Sequence, residues 1–161
     1  MNEAFEIEEA TPDDRLDVLR VLDAAMLETD AARVADRIDA SDAFVARFER
    51  TNAVVGAVIA TRPEASEESG GTLHVDTVAV RRTRRGCGVG SALVESVIDR
   101  GRADPGIDRV TTAFDGSLGG FYAALGFDIE PGRASGGNES RPGDRMRGVV
   151  SLGEDIGAEP R

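Results

Sequence analysis

The chain has 161 residues, 40% of them hydrophobic, which is enough for one domain with a buried core and too much for a disordered segment. Its 30 acidic residues outweigh 19 basic ones, all of them Arg, for a net charge of -11. That balance excludes a protein that coats nucleic acid or an anionic membrane, since both need a basic face.

Phe5-Glu6-Ile7-Glu8 alternates and predicts an opening strand. Thr11-Pro12-Asp13-Asp14 predicts a helix start, with Thr11 as N-cap, Pro12 at the first helical position and both Asp favouring the positive helix end. Leu16, Leu19, Leu22 and Met26 follow as the expected buried row, with Asp17 and Asp23 on other faces. A weaker helix is expected over Asp30 to Ile38. Ala43 to Phe48 and Ala53 to Ala60 predict a hairpin around Glu49-Arg50-Thr51-Asn52. A polar loop, Thr61 to Gly71, leads to a strong strand over Thr72 to Val80. Gly88 or Gly90 opens the next helix, which buries Val89, Leu93 and Val97 with Val94 and Ile98 and turns Glu95, Asp99 and Arg100 outward; Gly101 marks its C-cap region and Pro105-Gly106 a turn. Arg109 to Phe114 is a strand, Ser117 to Leu125 a short helix stopped by Gly126, and Phe127 to Ile129 the start of another strand. Pro131 to Gly143 is a Gly- and Pro-rich loop, Met146 to Leu152 a last strand, and Gly153 to Arg161 a frayed tail. The pattern gives a mixed α/β sheet covered on both faces.

A lone Cys, Cys87, forbids an internal disulfide and suits a reducing cytoplasm, where the protein is expected. The acidic opening Met1 to Ala10 lacks the apolar core of a signal peptide, and no apolar run approaches the roughly 20 residues of a membrane helix.

Charge is unevenly spread. Met1 to Gly71 carries -10, Thr72 to Arg102 carries +3, and Ala103 to Arg161 carries -4. The basic island holds Val78-Ala79-Val80-Arg81-Arg82-Thr83-Arg84-Arg85-Gly86-Cys87-Gly88-Val89-Gly90-Ser91: a strand, a Gly-rich loop with four Arg, and a helix start. Glycines let backbone N–H groups face a ligand, and a helix N-terminus adds donors and partial positive charge. This combination fits a phosphate or pyrophosphate; the alternative is a tight turn with a solvated basic patch. A nucleotide P-loop needs a Lys, and the chain has none. A dinucleotide fingerprint fits at Gly86 and Gly88 but meets Ser91 where its third Gly belongs.

The segment resembles the GNAT superfamily of acetyl-CoA-dependent N-acetyltransferases, whose signature is a Leu-Ala-Val-like strand end followed by [Q/R]-x-x-G-x-[G/A] at a helix start. A second family element, an aromatic-Tyr pair before Gly-Phe, is similar to Phe121-Tyr122-Ala123-Ala124-Leu125-Gly126-Phe127. The resemblance covers Phe5 to Leu152 and implies one domain over 1–152 with a flexible tail, built on a mixed, mostly antiparallel sheet with helices on both faces. It implies that the backbone of Val78, Ala79 and Val80 pairs with the pantetheine arm. The amides of Arg85, Gly86, Cys87, Gly88, Val89 and Gly90, with Ser91 at the helix start, would hold the pyrophosphate. The Arg81, Arg82 and Arg84 side chains would neutralise phosphate. Asp115 falls near a position that is often Asn in the family. Gly119 and Gly120 depart from a helix usually richer in Ala, and predict a shorter or more mobile one.

The implied reaction is direct attack of an amine on the thioester. It needs a base, an oxyanion donor (the Val80 N–H) and an acid for the departing thiolate. Tyr122, the only Tyr, stands where the family places that acid; the alternative is a core aromatic. His74, the only His, and Asp76 lie on the signature strand, where alternation puts them on one face with Val78 and Val80. Relatives in the arylalkylamine class use such His residues as bases. The alternative is that His74 caps the strand and Asp76 pairs with an Arg. Glu28 is a further base candidate, while Cys87 reads as an incidental loop thiol, and without a His/Cys cluster no metal is expected. Leu27 to Ala31 and Pro131 to Gly143 would frame the acceptor, with Glu28, Asp30 and Glu139 attracting a cationic amine. The expected partners are a small-molecule or peptide amine and a second copy of the chain in a homodimer. The rival functions are a non-catalytic acyl-CoA-binding regulatory module and a dinucleotide-binding domain.

Acidity without Lys also predicts adaptation to high salt, because carboxylates hold hydration and screening relieves the self-repulsion of -11. An acidic protein from a GC-rich genome would share the composition. The salt reading expects the protein to unfold sooner in 50 mM than in 2 M salt. Equal melting temperatures in the two buffers would reject it.

Overall fold

The structure is a computed structural model and describes residues 5–24, 31–62, 71–81, 88–131 and 145–152. Its sheet has seven strands in the order β1-β2-β3-β4-β5-β7-β6. They are β1 (Phe5–Glu9), β2 (Ala43–Phe48), β3 (Val54–Thr61), β4 (Gly71–Val80), β5 (Ile107–Asp115), β6 (Asp128–Pro131) and β7 (Arg145–Ser151). The helices are α1 (Arg15–Ala24), α2 (Ala31–Asp39), α3 (Val89–Ala103) and α4 (Gly119–Ala124), with 3-10 turns at Pro12–Asp14 and Gly116–Leu118. β4 and β5 pair in parallel, while β1–β2, β2–β3, β5–β7 and β6–β7 are antiparallel. A parallel pair needs a crossover connection, and α3 supplies it. The mixed α/β sheet read from the sequence is the one observed.

The chain forms two compact units, Met1–Thr61 with Asp76–Val97, and Arg62–Val75 with Ile98–Arg161. In the first, β3 is buried from Val54 to Ala60, as a strand covered on both faces must be. Val54, Ala57 and Ile59 join a core with Val18, Val21 and Leu22 of α1 and Val34 and Ile38 of α2. The opposite face receives α3 at Gly56. A Cβ there would stand 3.0 Å from Val89 Cγ1, 3.1 Å from Leu93 Cδ1 and 3.1 Å from the Ala79 carbonyl oxygen. Only glycine lets helix and strand approach so closely. In the second unit, Val110 and Phe114 of β5 are buried with Met146 and Val150 of β7, their partners across the ladder.

The predicted buried row of α1 is corrected. Leu16 is 57% exposed, and Val18, Val21 and Leu22 form the buried face with Leu19 at its margin. The steps from Leu16 to Leu19 to Leu22 are threes, each drifting about 60° around the helix, so Leu16 lies well off the face that Leu22 shares with Val18 and Val21. Met26 lies outside the described residues. Gly101 is also corrected: it is not a cap but an interior residue of α3, which runs on to Ala103. A Cβ on it would come within 2.8 Å of Leu152 Cδ1 and 3.2 Å of Val110 Cγ2. The stop lies at Asp104, whose Oδ1 accepts the Gly106 N–H at 2.9 Å and whose Oδ2 meets Arg62 at 3.1 Å. The Gly106 amide and then Arg62 hold that carboxyl below its ordinary 3.8.

The helix start at Thr11 holds, with an addition. Asp14 is buried; its Oδ2 accepts the Thr11 N–H at 2.9 Å, and its Oδ1 accepts Arg47 Nη2 at 2.8 Å. Arg47 also donates Nε to Glu8 at 3.2 Å and Nη1 to the Asn52 carbonyl at 3.3 Å. One guanidinium on β2 therefore ties β1, the start of α1 and the β2–β3 turn. Burial alone would raise the Asp14 carboxyl; the Arg47 and Thr11 hydrogen bonds outweigh it and hold it below its ordinary 3.8. A carboxyl depressed by folding adds stability above its unfolded value and loses it as pH falls through the folded one. Asp14→Asn is expected to cost about 1–3 kcal/mol at neutral pH. It should also shrink the loss of stability on going from pH 6 to pH 2.5. Urea unfolding of both proteins at the two pH values measures this, and an undiminished acid loss in the variant would refute it.

Candidate active site

The site begins with β4. Leu73, Val75 and Ala79 are buried while His74, Asp76, Val78 and Val80 take the other side of the strand, as alternation predicts. Beyond Val80 the chain stays bound to β3: Arg81 gives its N–H to the Val55 carbonyl at 2.8 Å and its Nε to the Val54 carbonyl at 3.3 Å. Part of the Arg81 donor set thus serves β3. Arg82, Arg84, Arg85, Gly86 and Cys87 lie outside the described residues, as do Glu28, Asp30 and Glu139.

Gly88 has φ +86, a conformation that L side chains rarely adopt, and among the described residues no heavy atom lies within 4 Å of where a Cβ would stand. The helical ladder starts with Ala92 N–H to the Gly88 carbonyl at 3.0 Å, so the amides of Val89, Gly90 and Ser91 precede it. These first-turn amides, at the positive end of the 15-residue α3, are the donors that an anion can use. Val89 buries its side chain, while Gly90 and Ser91 are half-buried. Backbone and open space at this turn fit a phosphate group.

Asp76 meets Arg33 Nη2 of α2 at 3.8 Å and accepts the Thr77 hydroxyl at 3.2 Å. The Asp76–Arg pairing weighed as an alternative is present, with an Arg the sequence did not single out.

In the second unit, β5 carries two adjacent buried hydroxyls, Thr111 (5% exposed) and Thr112 (1%). His74 Nδ1 lies 2.8 Å from Thr111 Oγ1, its register partner across the parallel ladder. Tyr122 of α4 is hydrogen-bonded to the Thr112 side chain. It stacks on Phe114 at 4.5 Å and meets Phe121 and Phe127 edge-on at 4.8 and 5.5 Å. Thr112 and Phe114 share one face of β5 and Thr111 takes the other. The candidate base and acid therefore stand on opposite faces of the β4–β5 pair. Burial pushes the Tyr122 phenol up from its ordinary 10, against the pull of the Thr112 hydrogen bond, so the phenol stays protonated at neutral pH. Tyr122 is core packing and hydroxyl bearer at once. Neither Thr was singled out in the sequence; the available signal was a pair of polar residues inside Arg109 to Phe114, where one of two neighbours must face inward.

Asp115 ends β5 and caps the following turn, its Oδ2 accepting the Ser117 N–H at 2.9 Å and the Ser117 hydroxyl at 2.6 Å. Among the described residues no group of three or more His, Cys, Asp or Glu could hold a metal ion.

Residues 5–127 match the model of the Acetyltransferase (GNAT) family, and the chain belongs to that family of acyltransferases. The fold is shared with solved structures of low identity. The crystal structure of the NatC complex bound to Gag peptide and CoA has a TM-score of 0.74 at 16% identity, covering 94% of this chain and 99% of that one. Arabidopsis thaliana Naa50 in complex with the bisubstrate analogue CoA-Ac-MVNAL gives 0.70 at 20%, covering 91% and 98%. Ard1 from Thermoplasma volcanium gives 0.68 at 20%, covering 92% and 98%. No curated protein sequence matches the chain significantly.

The two glycines of α4 show how lightly that helix is built. It has six residues, as short as the sequence leads one to expect, and a Cβ on Gly119 or Gly120 would meet nothing within 4 Å among the described residues. Gly119→Ala and Gly120→Ala are expected to stabilise by about 0.4–1 kcal/mol each, by removing unfolded-state freedom at no steric cost. Thermal unfolding measures this; a lower melting temperature in the double variant would contradict it.

Proposed function

We propose that the chain transfers the acetyl group of acetyl-CoA to a primary amine, of a small molecule or a peptide, by direct attack within a ternary complex. The carrying observation is the turn after β4, where Gly88 at φ +86 opens a 15-residue helix inside the family match. In this reading the amides of Val89, Gly90 and Ser91 hold the pyrophosphate with Arg85, Gly86 and Cys87, and the backbone of Val78, Ala79 and Val80 takes the pantetheine arm. The CoA and peptide bound in the NatC complex and the bisubstrate analogue bound to Naa50 favour a peptide amine among the possible acceptors.

The reaction needs a base and an acid. An alkylammonium is not a nucleophile, so a proton must first leave the amine, and His74, oriented by Thr111, takes it. The amine nitrogen then bonds to the acetyl carbon. As the C–S bond breaks, its electron pair goes to sulfur, and the Tyr122 phenol supplies the proton that makes the CoA thiol. Asp76, paired with Arg33, would shape the acceptor side.

Acetyl-CoA and CoA are expected to raise the melting temperature while NAD does not, and an amine panel should release free CoA. Tyr122→Phe should cut turnover by at least about tenfold, within the range a positioned acid contributes, with acetyl-CoA affinity nearly intact. Stabilisation by acetyl-CoA without CoA release under any amine would favour the regulatory module, and unchanged turnover in the variant would remove the acid role.

A further inference from the structure

We infer that Gly56 is a positioning residue for the cofactor: by lacking a side chain it sets how close the first turn of α3 stands to β3, and so where the amides of Val89, Gly90 and Ser91 lie. The inference rests on the reading of those amides as holders of the pyrophosphate.

Val54, Val55 and Gly56 of β3 meet both segments assigned to the cofactor. The end of β4 is fastened to the first two: Arg81 gives its N–H to the Val55 carbonyl at 2.8 Å and its Nε to the Val54 carbonyl at 3.3 Å. The start of α3 comes down on the third. A Cβ on Gly56 would stand 3.0 Å from Val89 Cγ1, 3.1 Å from Leu93 Cδ1 and 3.1 Å from the Ala79 carbonyl oxygen, all tighter than the ordinary 3.4–4 Å of a van der Waals contact. Val89 is the first residue of α3 and Leu93 lies one turn further in, so both contacts bear on the end of the helix whose amides precede the ladder. Both side chains are fully buried, and a close-packed interior passes a displacement on. The Ala79 carbonyl belongs to a strand paired beside β3 and has the sheet to hold it. The helix has only side-chain packing at this point, so α3 is the neighbour that yields. A methyl group on Gly56 therefore moves the start of α3 outward by a few tenths of an ångström and carries the first-turn amides with it. Hydrogen bonds to a phosphate are charge-assisted and depend steeply on donor distance and angle, so that movement is read as lost affinity. Gly56 is itself buried, and it acts through α3 rather than on the ligand.

The test is CoA binding by titration calorimetry, with steady-state kinetics in acetyl-CoA beside it. Gly56→Ala should weaken CoA binding about fivefold, on a scale where a misplacement of about 1 Å costs about a hundredfold. KM for acetyl-CoA should rise in step, with kcat at saturation within about twofold, because the lost contacts serve ground state and transition state alike. Gly56→Val, with its larger side chain, should weaken binding further. Adding Val89→Ala to Gly56→Ala removes the methyl group that the new Cβ meets first, and should recover most of the lost affinity. Residues in contact show such coupling, whereas a general loss of stability would only deepen. Gly101→Ala crowds the same helix at its other end, against Leu152, and should leave CoA affinity within about twofold of wild type. Wild-type CoA affinity in Gly56→Ala would overturn the inference. So would a loss that Val89→Ala deepens, or one that Gly101→Ala reproduces. If Gly56→Val does not fold, Gly56→Ala and its double variant decide alone. A wild-type chain that binds no CoA overturns the reading of the turn itself, a different result from CoA binding that is indifferent to Gly56.

Discussion

Neighbouring residues of a β-strand point to opposite faces, and on β5 that rule sends Thr111 one way and Thr112 the other. The rest of the candidate chemistry hangs on the separation. Thr111 engages His74 across the parallel ladder, while Thr112 engages Tyr122 from α4, among Phe114 and Phe127. A shift of one residue in register would exchange the two partners and put the phenol on the side of the histidine. The ladder that prevents this is pinned on both sides of β5: by β4, from Gly71↔Ile107 to Val75↔Thr112, and by β7, from Arg109↔Ser151 to Asp115↔Arg145. Opposite Thr112 on β7 stands Gly148, and a Cβ there would come within 3.1 Å of the Phe127 ring. The missing side chain makes room for Phe127, which in turn bounds Tyr122.

The first unit shows a different constraint, an ion pair that has to be satisfied because it is half-buried. Arg47 sits on a strand otherwise lined by Ala43, Val45 and Ala46, and taking its charge out of water is tolerable only with carboxylates on hand. Asp14 and Glu8 supply them from two different elements. This makes the entry to α1 a tertiary feature. The capping box gives Thr11 and Asp14 to each other, and Arg47 decides which way the pair faces.

That difference explains what could be read from the chain beforehand. β4 and α3 were legible because their patterns are long and every residue agrees: alternation through Thr72 to Val80, and Val89, Leu93, Val94, Val97 and Ile98 on one helical face. The glycine turn between them was legible too, and Gly88 takes the positive φ that such a turn requires. The phase of α1 was not, because Leu16 and Val18 are equally apolar and the contacts that distinguish them, the core of β3 and α2 and the Asp14–Arg47 pair, come from residues distant in sequence. Gly101 was misread for a related reason. Glycine ends helices and also lets neighbours approach, and the side chains of Leu152 and Val110 that decide between these uses arrive from β5 and the end of β7.

Thr111 and Thr112 went unnoticed because threonine is unremarkable in a strand. Its branched Cβ packs on a pleated surface much as valine does, so propensity carries no trace of the hydroxyl. The hydroxyl acquires meaning only from what it meets. On Thr111 it meets an imidazole nitrogen at 2.8 Å, which orients the ring. On Thr112 it meets a phenol whose burial raises the proton's affinity and so keeps it in place until a stronger acceptor forms nearby. A thiolate leaving an acyl carbon is such an acceptor, and water is not. The aromatic wall that makes Tyr122 look like mere core is thus what keeps its proton in reserve, and the threonine beneath it makes that burial affordable to the fold.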